Sequence, residues 1–112
     1  MSEPVTITRH ELIRLIGDVL TEIDVLSSHF DPGTKDREDL DGLRDKLDAT
    51  QRKLVRSAIN DKTKEFKDLT ASLKAINEEL RQTIDDVDKI ATTFETLVKF
   101  VGAIQKIAEL VP

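Results

Sequence analysis

His10 and Glu11 are the first residues in the chain with the makings of chemistry. A His-Glu pair opens the helical zinc motif in which two imidazoles on one face hold the metal and the Glu serves as base. Arg14 stands where the second His must be, so the motif fails and His10 reads as a first-turn helix residue. His29 falls at the end of the same segment, where a partly protonated imidazole complements the helix dipole.

Three charged stretches come next. In "DREDLDGLRDKLD", Asp39, Asp41, Gly42 and Asp48 resemble the spacing of a calcium loop. Placing Gly42 at the sixth position puts Arg37 at the first, where a carboxylate must bind the cation. Leu40, Leu43 and Leu47 give the run helical periodicity instead, and its charges read as a solvated, salt-bridged face. "ATQRKLVRSAIN" carries Arg52, Lys53 and Arg56, with Lys62, Lys64 and Lys67 following. Such cations bind phosphate backbones by counterion release. Here no aromatic interleaves them, and Asp61, Glu65 and Asp68 dilute them. They read as helix-surface cations, and no nucleic-acid partner is expected. Glu78, Glu79, Asp85, Asp86 and Asp88 form an acidic patch. Carboxylates bind metal inside bundles when Glu-x-x-His pairs project inward, and the sequence holds no such pair. The patch reads as solvent-exposed, with a basic region such as Arg52 to Arg56 on another copy as a secondary counterpart. The sequence therefore assigns no catalytic residue, no cofactor and no metal, and the expected function is non-enzymatic.

Bulk properties agree with helices. The 112 residues are 38% hydrophobic and 35% charged, with four Phe, no Trp or Tyr, and few Gly or Pro. That mix favours long amphipathic helices over a sheet. The net charge of -5 opposes nonspecific attraction to phosphate or anionic lipid. No cysteine is present, which rules out disulfides and thiolate sites. The start, "MSEPVTITRHELIRLIG", lacks a signal-peptide layout. No run reaches the roughly 18 apolar residues of a spanning helix. A soluble cytoplasmic protein is the expectation.

The elements that must position these residues are legible from periodicity. Thr8 and Glu11 form a capping-box pattern, with Ile7 and Leu12 placed for a hydrophobic staple. Leu12, Ile16, Val19, Ile23, Leu26 and Phe30 then recur at helical spacing, giving a helix over about 8–30. Gly17 within it marks either a surface position or a close approach by a neighbouring backbone. "DPGT" ends the helix. Leu40, Leu43, Leu47, Leu54 and Ala58 give a second helix over about 35–59. The run "NDKTKE" is the best break, although an eleven-residue spacing (Leu47, Ala58, Leu69, Leu80) would carry a helix through it.

The last segment has a sustained three-four repeat: Phe66, Leu69, Leu73, Ile76, Leu80, Thr83, Val87, Ile90, Phe94, Leu97, Val101, Ile104, Ala108 and Val111. Its flanks are polar before Thr83 and apolar afterwards, so residues beyond about 84 need at least two neighbouring helices. One helix over 62–111 would be roughly 75 Å long, against about 36 Å for each of the others. Its excess would have to find another chain. A bend near "RQTIDD", with Thr83 and Asp86 starting a new helix, would give a four-helix monomer instead, but no Gly or Pro marks the place.

The expected fold is an all-α bundle within a single helical domain, 1–112. It has three helices, or four if the last folds back, and a long C-terminal coiled-coil-like helix. The expected function is an interaction or assembly module that self-associates as a homo-oligomer or docks a partner protein. Its contact face is Ile84, Val87, Ala91, Phe94, Val98, Phe100, Val101, Ile104 and Ile107. The alternative is a membrane-active subunit using the amphipathic "LVKFVGAIQKIAELV". A third, weaker reading is an inhibitor or immunity-type protein whose acidic surface blocks a basic partner.

Overall fold

Threonine starts three of the four helices. Thr8, Thr34 and Thr63 take extended backbone angles, and each hydroxyl accepts the N–H three residues on: Glu11 at 3.1 Å, Arg37 at 3.4 Å and Phe66 at 3.2 Å. Each bond satisfies a donor that a helix start leaves open. The computed structural model describes residues 7–57 and 59–110. Within them lie α1 (Arg9–Ser27), α2 (Lys35–Arg56), α3 (Lys64–Thr83) and α4 (Ile90–Ala108), with a single 3-10 turn at Val87–Lys89 leading into α4. No strand occurs among the described residues, and the protein is an all-α helical bundle.

The single helix expected over 62–111 is replaced by α3 and α4, joined by a tight corner. Thr83 is the last residue of α3, and Asp86 leaves the helical region at φ -111°, ψ 105°. The Asp86 carboxylate accepts the Asp88 N–H at 3.0 Å, starting the 3-10 turn. The buried Thr93 hydroxyl donates to the Thr83 hydroxyl at 2.8 Å, tying the two helices together just past the bend. An acidic cap thus does what Gly or Pro does elsewhere. The longest extent of the molecule, 43 Å, leaves no room for a rod of roughly 75 Å.

The heptad face survives the bend. All thirteen described seam positions from Phe66 to Ala108 are buried or half-buried, while Val111 lies outside the described residues. The neighbours that the broad face of α4 demands are α3 and α2 of the same chain. In α1, Leu12, Ile16, Val19, Ile23 and Leu26 are buried and Phe30 is half-buried, while Ile7 and Leu12 are both in the core where the staple places them. α1 stops at Ser27, three residues short of the expected end, and Gly33 takes φ +90° in the turn that follows. α2 stops at Arg56, before the expected 59; Ala58, which would have extended its stripe, lies outside the described residues. "NDKTKE" does interrupt the chain: the Asn60 side chain accepts the Lys62 N–H at 3.0 Å, and Thr63 caps α3. At Gly17, an added Cβ would sit 3.4 Å from the Gln51 side chain, so the neighbour there is not a backbone.

Topology follows from two long-range contacts. The Arg9 N–H donates to Asp61 at 3.0 Å, which sets the start of α1 beside the α2–α3 loop. Arg81, near the end of α3, pairs with Glu22 near the end of α1. The helices therefore alternate in direction. α1 packs on α2, α3 on α4, and α2 on α4, giving a flattened bundle of 43 × 34 × 17 Å.

Two arginines close the first hairpin reciprocally. Arg9, opening α1, donates to the Leu54 and Val55 carbonyls at the end of α2, at 2.8 and 2.9 Å. Arg37, opening α2, donates to the Phe30 carbonyl at 3.0 Å and the Ser27 carbonyl at 3.4 Å, at the end of α1. A cation on the last carbonyls of a helix satisfies them and complements the dipole.

Candidate functional site

Several residues with chemical potential are held as ordinary surface groups. His10 is exposed in the first turn of α1, and His29 is exposed just beyond its end. The calcium-like run lies inside α2, where Lys35 pairs with Asp39 at 2.6 Å and Arg37 with Asp41 at 3.4 Å. The Asp39 hydrogen bond pushes the Lys35 ammonium up, and Asp68 does the same to Lys64. Asp24 likewise raises Arg44, which reaches it across the first hairpin at 2.5 Å. Among the described residues, no three His, Asp or Glu side chains gather at a metal-holding distance.

The nine contact residues expected on 84–111 divide. Ile84, Phe100, Val101, Ile104 and Ile107 are buried in the protein's own core, so a partner reaches them only if the bundle opens. Val87 and Phe94 are half-buried, Ala91 is exposed and Val98 is 47% exposed. The face that a membrane reading would use is thus turned mostly inward. Among the described residues, no helix is long and apolar enough to cross a membrane.

The structure brings other groups together. Taking Asp18 and Lys99 as the waist, the end holding 7–17, 46–73 and 100–110 carries ten Lys/Arg and six Asp/Glu. The opposite end, 19–45 and 74–98, carries six Lys/Arg and fourteen Asp/Glu. Ion pairs among the described residues occupy two of the ten cations at the first end, Arg52 with Asp48 and Lys64 with Asp68. At the second end they occupy four of the six, on Lys35, Arg37, Arg44 and Arg81. A modestly acidic chain is folded into one basic and one strongly acidic end.

Each end also presents an apolar side chain in a shallow cleft. At the basic end, a cleft of about 490 Å³ is lined by Arg9, His10, Glu11, Ile13, Arg14 and Val55, and Val55 is 54% exposed. A second hollow continues past Val55 along Arg56, Ser57 and Ile59. At the acidic end, a cleft of about 220 Å³ runs between the last turn of α1 and the α3–α4 corner, with Glu22, Val25, His29 and Asp85 on its walls. Val25 is 59% exposed. Arg14 and Asp85, on opposite clefts, make no ion pair or side-chain hydrogen bond among the described residues, so both charges face solvent.

Neither cleft was visible along the chain, because each joins segments distant in sequence. The signal available was the basic run from Arg52 and the acidic run from Glu78, without the topology that adds Arg9 and Arg14 to one and Glu22 to the other. No protein-family model matches the chain, and no curated protein or solved structure matches it significantly.

Proposed function

We propose that the protein is a non-enzymatic helical interaction module, cytoplasmic, that associates with other protein surfaces through the two ends of its bundle. The observation that carries this reading is the sorting of charge by the fold around two exposed valines, Val55 and Val25. An apolar centre within a charged rim is the anatomy of a protein-binding patch. The rim supplies specificity and rate of encounter, and the centre supplies desolvation. The apolar face on 84–111 contributes at most its outer residues, since its larger side chains already fill the core.

The test is site-specific photo-crosslinking in the cells that make the protein. A photoreactive residue replaces Val55, Val25 or, as an exposed control, Ala49. Discrete adducts at 55 or 25, and none at 49, are expected. Absence of adducts at both ends, with the protein folded and abundant, refutes the reading.

A further inference from the structure

We infer that the partner is a second copy of this chain, bound head to tail, with the basic end of one molecule seated on the acidic end of the next. This deepens the interaction reading above and rests on it. The two ends are complementary in sign, ten cations over six acids against fourteen acids over six cations. Each holds an exposed valine in a cleft: Val55 lines one with Arg9 and Arg14, and Val25 lines the other with Glu22 and Asp85. One chain therefore supplies both halves of a contact it cannot make with itself, because the halves lie at opposite ends of the bundle.

The geometry fixes the kind of assembly. A contact between two different patches is heterologous, and with the patches at opposite ends it leaves one free at each terminus of the complex. Such contacts generate open chains or rings instead of closed twofold dimers. The attraction is between exposed charges, so it falls with salt: the Debye length shrinks from about 30 Å at 0.01 M to about 8 Å at 0.15 M.

Light scattering across a concentration series provides the test. At about 0.01 M salt, the weight-average mass should rise continuously from the 12.6 kDa monomer without stopping at the dimer. At about 0.5 M salt it should return to the monomer. Two variants separate the ends. Arg14→Glu with Arg56→Glu cancels the cation excess of the basic end, leaving eight cations and eight acids, and Asp85→Lys with Asp88→Lys makes the acidic corner basic. These positions avoid the capping side chains of Arg9 and Asp86, and circular dichroism checks that helicity is kept. Each variant alone should lose most of the low-salt rise in mass, and an equimolar mixture, in which an intact basic end meets an intact acidic end, should associate as a 1:1 complex. Wild type that stays monomeric at low salt overturns the inference. So does wild-type association that stops at a dimer, association that either pair of substitutions leaves intact, or association that fails to return on mixing. Crosslinks at Val55 to a chain of different mass, with no self-association in solution, would overturn this inference and leave the interaction reading standing.

Discussion

Truncating Leu80 tests the folded-back corner most directly. Leu80 is fully buried one turn before the bend, in the same seam as Phe94, which is half-buried on the far side. Replacing a fully buried Leu by Ala costs about 2–5 kcal/mol, from lost transfer energy and the cavity left behind. Phe94→Ala should lose less than the ~3–5 kcal/mol of a fully buried Phe, because part of its ring already meets water. Urea unfolding followed by far-UV circular dichroism, at about 0.5 M salt to screen the charged ends, measures both. The bundle in hand buries Leu80 within one chain, so its midpoint should not depend on protein concentration. Were the seam shared between chains in a dimer, a hundredfold dilution would lower the apparent stability by about 2.7 kcal/mol. A Leu80→Ala loss below about 1 kcal/mol, or a midpoint that moves with concentration in high salt, would refute the intrachain corner.

Arg9→Ala withdraws a charged donor from the Leu54 and Val55 carbonyls and should cost about 1.5–3 kcal/mol in urea unfolding, with Arg9→Lys recovering part of the loss. Two glycines should respond with opposite signs in thermal unfolding. Gly42→Ala, with open space around its added Cβ in α2, should gain up to about 1 kcal/mol, while Gly33→Ala, at φ +90°, should lose about 1–2 kcal/mol. Lys35 and Lys64 have folded-state pKa values above their ordinary 10.5, through hydrogen bonds to Asp39 and Asp68. Their contribution is complete below the unfolded lysine value and is lost as pH rises through the folded one. Unfolding midpoints should therefore carry no signal from these pairs between about pH 6 and 9, and Lys35→Met with Lys64→Met should remove any fall seen only above about 10.5.

Phase was legible in this sequence where continuity was not. The spacing of Leu12 to Leu26 and of Phe66 to Ala108 reports which side chains face a core, and the structure buries or half-buries every described member. Phase cannot report whether the facing helix belongs to the same chain. At the corner, Thr83, Val87 and Ile90 keep the repeat going and are all half-buried, although Asp86 breaks the helix between them. The stop signal was one aspartate cap at Asp86, a residue type that also stands within α1, α2 and α3. The widening of the seam after Thr83 did carry the right message, that α4 has more than one neighbour. The charged ends were illegible for a different reason: residues 31–68 hold ten acids and ten bases and read as neutral. Folding sends the acidic first half of that stretch to one end of the bundle and the basic second half to the other.

Helix dipoles explain only part of that sorting. In α2 the acids gather in the first half and Arg52, Lys53 and Arg56 in the last turns, the arrangement the macrodipole favours by about 0.3–1 kcal/mol per exposed charge. α4 is mixed: Asp85, Asp86 and Asp88 precede its start and Lys106 stands in its last turn, but Lys89 is its N-cap and Glu109 its C-cap. α1 runs the opposite way through the bundle and breaks the rule. Glu11 in its first turn obeys the rule, but Arg9 and Arg14 also stand in its first half, Glu22 and Asp24 in its second, and its last turn holds no cation. Local helix stability would have favoured the opposite sign at Arg9 and Asp24, which stand in the first and last turns. Arg9, Glu22 and Asp24 have structural partners in Leu54, Arg81 and Arg44, but Arg14 has none among the described residues. Beyond Glu11 in the first turn, charge in α1 therefore tracks the end of the bundle it occupies more than the direction of its own dipole. That pattern is accounted for if each end is selected as a surface, basic at one pole and acidic at the other, for something that meets both.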